Sequence, residues 1–419
     1  MTTGVDQQHV AELYRRHLSV GRARLSSLTG GATEVRSAGS RVHDANGVEY
    51  LDCGGYGVFL VGHCHPRVVD AVVAQVRTHP LATRLLLEPT AAAAAQALVA
   101  VAPPGLQRVH FANSGAEATE TAIKLARALG KTQLVSAVNG FHGKTFGALS
   151  LTANSLYQDP FRPLLPQVCH VPYGDRAALE TVLASAPGEA CVVVEPVQGE
   201  GGVVLPPPGY LRQVASLCRS HDALFVLDEV QTGLGRLGQW WGADRDGVVP
   251  DVLLVGKGLS GGVIPVAAVL ATEEAYAPFN KDPFLHSSTF AAAPVAMAAA
   301  AATVATIREE RLVERADELG RRLLPALRHV FAAHCPHLTL AVRGAGLLIG
   351  IELRDEHIAG EFVLELINQR VLVNHSLNAH RVIRLTPPAV LTDAEANWLL
   401  TAFAAAARTV AAHHGSSPE

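Results

Sequence analysis

The stretch LFVLDEVQTGLGRLGQWWG, residues 224–242, places two acids, Asp228 and Glu229, and a glycine pattern directly after an apolar run. Gly233, Gly235 and Gly238 spell G-x-G-x-x-G, which binds a dinucleotide only where the glycines open a helix and an acid follows about 20 residues on. QWWGADRDGVVPD follows instead, and its glycines, acids and proline are typical of turns. The sequence therefore favours chemistry at the two acids over a nucleotide at the glycines.

Continuous apolar runs of this kind recur along the middle of the chain. Strands buried on both faces of a mostly parallel sheet have such sequences, and helical stretches separate most of the runs. We therefore expect an α/β fold, with a large domain whose mostly parallel sheet is flanked by helices. The predicted strands lie within RVHFANSG, LVSAVNGF, CVVVEPVQ, LFVLDEVQ, DVLLVGKG and VAAVLAT.

Several of these runs end in polar or glycine residues. They end at Asn113-Ser114-Gly115, at Glu195, at Asp228-Glu229 and at Gly256-Lys257. Ligands of open α/β sheets lie beyond the carboxyl ends of the strands. We expect these four ends to converge on one site.

The two ends of the chain are predicted to form a smaller α+β domain. Residues 6–20 predict a short amphipathic helix, a Gly/Ser/Thr-rich stretch runs to about residue 40, and Asn46-Gly47 between apolar runs predicts a hairpin. A helical region from Pro294 to about Val330 precedes strands in LTLAVRGAGLLIGIELR, RVLVNHS and VIRLTPP and a terminal helix. The predicted boundaries are 1–50 for the N-terminal part of the small domain, 51–300 for the large domain and 301–419 for the C-terminal part.

Composition excludes several classes of protein. The 419 residues are 49% hydrophobic and 17% charged, and the net charge of -4 comes without a basic cluster, so we expect a globular chain that binds no nucleic acid. No secretory leader or membrane-spanning run is apparent, which predicts no membrane association and a cytoplasmic address. The six scattered cysteines predict reduced core residues. His63-Cys64-His65 lacks a second ligand pair, which predicts no metal site.

Asp228 is followed by Lys257, 29 residues later and also at a strand end. Pyridoxal phosphate needs a lysine for a Schiff base and an acid that keeps its ring nitrogen protonated. Asp228 and Lys257 suit those roles. Taken singly, Asp228 is also consistent with an ordinary strand-end acid, and a lysine in a turn such as Lys257 is more often a surface residue than a catalytic one.

The order of motifs resembles the class III aminotransferases, the ω- or ornithine-type enzymes of the fold-type I pyridoxal phosphate-dependent transferases. The motifs cover nearly the whole chain, and GGYGVFLVGHCHP, FRPLLPQVCHVPYG, LPPPGYL and DPFLHSSTF are most similar to putrescine (polyamine) aminotransferases. The family motifs are NSGAEATETAIKLAR, FHGKTFGALSLT, EPVQGEGGV, LDEVQTGLGRLG, PDVLLVGKGLSGG, HSSTF and RGAGLLIGIEL.

The resemblance implies a pyridoxal 5'-phosphate site. Lys257 would be the Schiff-base and proton-transfer residue, Asp228 the partner of the ring nitrogen, and Gln231 that of the ring hydroxyl. The phosphate would bind at a helix start and at Thr289 of a second subunit, so a homodimer or a dimer of dimers is expected. The remaining cofactor-binding residues expected are Ser114, Gly115 and Ala116 at the phosphate, Phe141 and Val230 on the two ring faces, and His142 and Glu195.

The substrate side is implied less fully. Arg384 would bind the α-carboxylate of a donor such as glutamate and turn to Glu200 when an amine without that carboxylate enters; a surface salt bridge is the other interpretation of Arg384. Tyr56 and Phe59 would line the substrate pocket. The alanines at 291–293 and Ser260 depart from the family pattern, which affects the expected substrate shape more than cofactor binding.

The expected activity is a ping-pong transfer of an amino group between a donor pair, glutamate/2-oxoglutarate or alanine/pyruvate, and a terminal amine or aldehyde such as a diamine or ω-amino compound. Racemases, decarboxylases and aminomutases share the scaffold and are a second hypothesis. A non-catalytic protein of the same fold is a third.

Overall fold

The computed structural model describes residues 5–83 and 85–415. Its strands, in chain order, are β1 Glu34–Ala38, β2 Arg41–Asp44, β3 Glu49–Asp52, β4 Arg108–Ala112, β5 Gln133–Ala137, β6 Val168–Val171, β7 Ala190–Val194, β8 Leu224–Asp228, β9 Val252–Val255, β10 Ala267–Ala271, β11 Thr339–Ala345, β12 Leu348–Leu353, β13 Val371–Leu372, β14 Asn374–Ser376 and β15 Ala379–Leu385.

The α-helices, again in chain order, are α1 Gln7–Leu13, α2 Val20–Leu28, α3 Pro66–Thr78, α4 Pro89–Val99, α5 Gly115–Ala128, α6 Phe146–Leu151, α7 Ser155–Gln158, α8 Arg176–Ser185, α9 Tyr210–Ser220, α10 Glu273–Lys281, α11 Pro294–Glu309, α12 Leu312–His334, α13 Glu356–Asn368 and α14 Asp393–His414. No helix within the described ranges is both long and apolar enough to cross a bilayer.

The central sheet has seven strands in the order β4-β10-β9-β8-β7-β5-β6. All neighbours are parallel except β10, which runs antiparallel to both β4 and β9. The six predicted strands are all present, and β7, β8 and β10 are buried along their whole length, which confirms the α/β prediction. The edge strand β6, with the sequence VCHV, was not predicted because it is short and mostly half-buried.

Two smaller sheets flank this core. One is β11-β12-β15-β14, and the other is β1-β2-β3-β13, in which Val371 pairs in parallel with Leu51. That pairing joins the two ends of the chain, as the predicted small domain requires. The hairpin at Asn46-Gly47 is confirmed: Gly47 has a φ of +78° and Asp44 Oδ1 accepts from the Asn46 N–H at 2.9 Å. The boundaries at residues 50 and 300 stay a prediction, and the outer limits at 1 and 419 lie outside the described residues.

The structure refines two helix predictions and contradicts the expected burial of one cysteine. The helix expected over 6–20 is present as α1, which a π-helix at Tyr14–Leu18 continues, and α2 follows in the Gly/Ser/Thr-rich stretch, for which no helix was predicted. Ser19 explains the start of α2, because its hydroxyl accepts from the Arg22 N–H at 3.2 Å and caps the helix. The helical region expected from Pro294 to about Val330 is present as α11 and α12, which a left-handed Arg311 (φ 55°) separates. Cys64 is exposed rather than in the core.

The histidines beside Cys64 have other partners in the structure. His63 is buried with Nε2 2.8 Å from Asp52 Oδ2, and its ring stacks on Phe59 with the centroids 3.6 Å apart. His65 faces Glu310 at 3.2 Å. These contacts link the turn before α3 to its surroundings.

Glu229, the residue after β8, joins the two ends of the glycine-rich loop that follows this strand. The buried Glu229 carboxylate accepts from the Thr232 hydroxyl at 2.5 Å and from the backbone N–H groups of Gly242 and Ala243 at 2.9 and 2.8 Å. The glycines open no α-helix, since a series of turns leads to a 3₁₀ turn at Gly242–Arg245. The interpretation of G-x-G-x-x-G as a turn rather than a nucleotide loop is therefore confirmed.

Glutamine at position 229 should flatten the pH dependence of stability. Burial raises the pKa of Glu229 from 4.5 to about 7, so this group's contribution to stability is full below pH 4.5 and is lost as pH rises through 7. The free energy of unfolding of wild type, minus that of Glu229→Gln, should fall by up to about 3 kcal/mol between about pH 5 and pH 8. Chemical denaturation measures it, and a pH-independent difference would contradict the prediction. Exposed Glu314→Gln is the matched control.

Candidate active site

The carboxyl ends of β4, β5, β7, β8 and β9 surround one cavity of about 240 Å³. The expected convergence of the strand ends is therefore observed. Its lining residues are Gly115, Ala116, Phe141, His142, Gly143, Glu195, Asp228, Val230, Gln231 and Lys257.

The start of α5 forms one end of this cavity. Ser114 caps the helix, with its hydroxyl accepting from the Glu117 N–H at 3.2 Å, and Gly115 and Ala116 follow at the first turn. Unpaired N–H groups and the helix dipole at such a turn favour an anion. A Cβ on Gly115 would lie 2.9 Å from Val230 Cγ1, so only glycine leaves Val230 its place in the cavity.

Asp228 is buried with both carboxylate oxygens engaged. Its Oδ2 lies 2.7 Å from His142 Nδ1 and its Oδ1 accepts from the Val230 N–H at 3.0 Å. Burial opposes a charge on His142, but its hydrogen bond to Asp228 and the aspartate charge outweigh burial and raise the pKa of His142 above 6.5. The imidazole thus donates to Asp228 and fixes the position of its side chain beside the cavity.

Glu195 is a second buried acid beside this pair. Burial, with the Asp228 charge acting in the same direction, raises the pKa of Glu195 to about 7. Its two oxygens accept from the N–H groups of Phe141 at 3.1 Å and Gly199 at 3.3 Å. Glu195 therefore fixes the backbone that carries the Phe141 ring and the loop that leads to Glu200.

Lys257 follows β9 in a left-handed conformation with a φ of 41°, the kind of backbone strain that is concentrated at functional sites. Its Nζ donates to Gln231 Oε1 at 3.1 Å, and Gln231 Nε2 is buried without a partner. Burial lowers the pKa of Lys257 below 10.5, and the Arg384 charge acts in the same direction. The amine is therefore easier to deprotonate than an exposed lysine.

Glu200 and Arg384 form a buried ion pair outside the lining of this cavity. They are 3% and 1% exposed, which rules out the surface salt bridge considered for Arg384. Glu200 Oε2 also accepts from the Leu377 N–H at 2.8 Å, while Arg384 Nε is buried with no hydrogen-bond partner. The guanidinium thus keeps donor capacity beyond the ion pair, and its charge is felt at Lys257.

Three other expected site residues lie away from the cavity lining. Thr289 is exposed on the turn before α11, Tyr56 is 54% exposed, and Phe59 stacks on His63. Gly57, between the two aromatic residues, does approach the site: a Cβ there would be 3.3 Å from Gln231 Nε2. The roles of Thr289, Tyr56 and Phe59 stay predictions.

Sequence reasoning missed two residues beside the site. Arg236 is buried and donates to the backbone oxygens of Leu347 (3.3 Å), Pro387 (2.5 Å) and Gly57 (3.5 Å), and burial lowers its pKa to about 9. Gly143 holds a φ of +127°, and a Cβ there would be 2.7 Å from that of Ala116. Arg236 lies inside the glycine pattern and Gly143 inside FHGKT. The residues that they contact are distant in the sequence, so no local pattern predicts these contacts.

The fold and cavity define a pyridoxal phosphate-dependent enzyme. The family model "Aminotransferase class-III" matches residues 29–407, and the chain belongs to that family. The ornithine aminotransferase from Toxoplasma gondii ME49 is 32% identical with a TM-score of 0.91, over 98% of this chain and 96% of that one. An (S)-enantioselective ω-transaminase from Thermomicrobium roseum is 28% identical with a TM-score of 0.89, over 97% and 99%.

A transaminase from the marine bacterium Virgibacillus is 25% identical with a TM-score of 0.90, over 97% of this chain and 100% of that one. These comparisons confirm the predicted family, fold, cofactor and aminotransferase activity. The racemase, decarboxylase, aminomutase and non-catalytic hypotheses are set aside. The putrescine aminotransferase subgroup stays a prediction.

The residues of the cavity fit pyridoxal 5'-phosphate. A helix start for the phosphate, a buried carboxylate for the ring nitrogen and a lysine of lowered pKa lie around one space, and the orphaned Gln231 Nε2 leaves a donor without a protein acceptor. Each of these groups has a polar counterpart on the cofactor.

Alanine at position 115 should weaken cofactor binding. The added methyl must displace Val230, and overpacking of this kind costs roughly 1–3 kcal/mol, equivalent to about a tenfold or greater loss of affinity. The dissociation constant of pyridoxal phosphate from the apoenzyme, measured by fluorescence titration, tests it. Gly360→Ala is the control, because nothing lies within 4 Å of a Cβ there. Equal affinities of the two variants would contradict the prediction.

Proposed function

We propose that this aminotransferase moves an amino group between a terminal amine, such as a diamine or ω-amino compound, and a 2-oxo acid, by ping-pong chemistry. The buried Glu200–Arg384 pair near Lys257 carries the proposal. When Glu200 and Arg384 are paired, their charges cancel, and the surface that they present to an amine substrate has no net charge. Turned from Glu200, Arg384 offers a bidentate donor to the carboxylate of glutamate or 2-oxoglutarate.

The relatives support this choice of substrates. Their names include ornithine aminotransferases and ω-transaminases, which makes a terminal amine the first class to test. Pyruvate and alanine form the alternative acceptor and donor pair. The expected diamine preference extends the resemblance to putrescine aminotransferases.

Pyridoxal phosphate, when bound, supplies a ring that takes up the electrons of a substrate carbanion. Asp228 would pair with the ring nitrogen, and the His142 contact keeps Asp228 in place. Phe141 and Val230 would lie on the two faces of the ring, and Gln231 would contact its hydroxyl. Ser114, Gly115 and Ala116 would hold the phosphate, and Glu195 orients the Phe141 backbone.

Lys257 would hold the cofactor through its amine, and its Nζ would be the group that accepts and returns a proton at the substrate carbon. Its lowered pKa favours the free base that must accept this proton. The Gln231 contact directs Nζ into the cavity.

Replacing Lys257 tests the core of the proposal. Lys257→Ala should slow the half-reaction with putrescine or 2-oxoglutarate on the order of a thousandfold or more, because no other lysine lines the cavity. Borohydride reduction followed by peptide mass spectrometry should attach the cofactor at position 257 in wild type only. Lys257→Arg, which keeps the charge but loses the amine, should be equally slow. Turnover of either variant at the wild-type rate would contradict the assignment.

The proposal includes a homodimer with a composite site. A highly exposed apolar run, Leu85, Leu86 and Leu87, is 91%, 79% and 103% exposed, and Phe284 is 87% exposed. The Val295 N–H donates to the Pro80 oxygen at 3.4 Å, so the start of α11 lies beside the residues that precede Leu85. An apolar surface of this kind marks an interface. A second copy would cover it and bring Thr289 to the neighbouring phosphate.

Mixed dimers test that arrangement. Leu87→Asp should halve the particle mass in light scattering, whereas the control Val249→Asp, also at an exposed apolar residue, should not. A hybrid of one Lys257→Ala chain and one Thr289→Ala chain should contain one intact site if Thr289 acts across the interface. Its activity should then exceed that of either parent homodimer, and the absence of such recovery would contradict the arrangement.

A cytoplasmic location is also proposed. The six cysteines form no disulfide among the described residues, which suits a reducing compartment. Cell fractionation tests it, and recovery of the enzyme in an oxidising compartment would overturn it.

A further inference from the structure

The turn between β14 and β15, Leu377-Asn378, is here called the hairpin tip. Its Asn378 side chain bridges two loops of the large domain: Nδ2 donates to the oxygens of Asn139 at 3.0 Å and Gly140 at 3.3 Å, and Oδ1 accepts from Asn154 Nδ2 at 3.1 Å. The tip is therefore fixed against the segment that leads into the cofactor cavity.

The same hairpin holds Glu200 from two directions. Arg384, in β15, pairs with one carboxylate oxygen, while the Leu377 N–H donates to the other at 2.8 Å. The Asn378 N–H also donates to the Glu200 backbone oxygen at 2.9 Å. The backbone contact fixes the Glu200 main chain, and rotation of its side chain would break the Leu377 hydrogen bond, so movement of Arg384 is the change that keeps the contacts of Glu200 with the hairpin tip.

Moving Arg384 leaves a carboxylate inside the protein. Glu200 is 3% exposed, and a buried charge that loses its partner is strongly destabilising. The Leu377 N–H stays on Glu200 after Arg384 has left, and a hydrogen bond to a charged group contributes most where no other partner remains. The hairpin tip thus lowers the cost of releasing Arg384.

We propose that Asn378 is a positioning residue that sets the selectivity for carboxylate ligands. By fixing the hairpin tip, it keeps the Leu377 N–H on Glu200 and so favours ligands that draw Arg384 away over amines that leave the ion pair closed. The inference deepens the proposed function and rests on the proposed role of Arg384.

Two probes of the holoenzyme test it. Glutarate, a dicarboxylate without an amino group, is titrated by calorimetry, and butylamine, which has no carboxylate, is titrated by the absorbance of the bound cofactor. Asn378→Ala should weaken glutarate binding about tenfold, as loss of one hydrogen bond to a charged group would, and should change butylamine binding less than twofold. Arg384→Met defines the full loss of glutarate binding.

Asn368→Ala is the matched control, because that exposed asparagine on α13 contacts only its neighbour Glu365 in the described hydrogen bonds, at 3.3 Å. It should change neither probe. Asn154→Ala removes one of the three side-chain contacts of Asn378 and should weaken glutarate selectively but less than Asn378→Ala. It also carries the test if Asn378→Ala does not fold.

Three results would overturn the inference. They are equal weakening of glutarate and butylamine, unchanged glutarate binding in both asparagine variants, and unchanged glutarate binding in Arg384→Met. Glutarate binding needs no turnover, so a holoenzyme that shows this selectivity but transfers no amino group would refute the proposed function alone.

Discussion

A buried carboxylate at the end of β8 is the constraint on which the site depends. Asp228 has lost almost all contact with water, and its two carboxylate oxygens are held by His142 and by the Val230 N–H. The Asp228 charge, added to burial, helps to raise the pKa of Glu195 to about 7. A cofactor with a cationic ring would place a positive charge beside the buried acids Asp228 and Glu195. The cofactor would then stabilise the same site that binds it.

The adjacent residues Asp228 and Glu229 have different roles because successive side chains point to opposite sides of a strand. Asp228 turns into the cavity, whereas Glu229 turns into the glycine-rich loop and accepts three hydrogen bonds there. The loop then delivers Arg236 to the backbone of three distant segments. The end of β8 thus supplies Asp228 for the chemistry and Glu229 for the support of the loop. The glycines form the turns between Glu229 and the 3₁₀ turn at Gly242–Arg245.

The sequence predicted the parts that depend on local pattern. Apolar runs ending in Asp228, Glu195 and Lys257 predicted both the central sheet and the edge where its residues meet, because parallel strands bring their carboxyl ends together. The left-handed break at Arg311 and the exposure of Cys64 were missed, because composition and apolar periodicity do not specify them. The hairpin tip was missed because the side-chain partners of Asn378 lie more than 200 positions earlier in the chain.

The pairing of β3 with β13 bears on the order in which the chain folds during synthesis. Leu51 leaves the ribosome early, but its partner Val371 follows only after the whole central sheet, a delay on the order of tens of seconds at ordinary translation rates. The first hairpin must therefore wait with one edge unpaired, and such edges recruit other chains. Release of the C-terminal segment, rather than formation of the catalytic cavity, is then the step that ends the chain's exposure to aggregation.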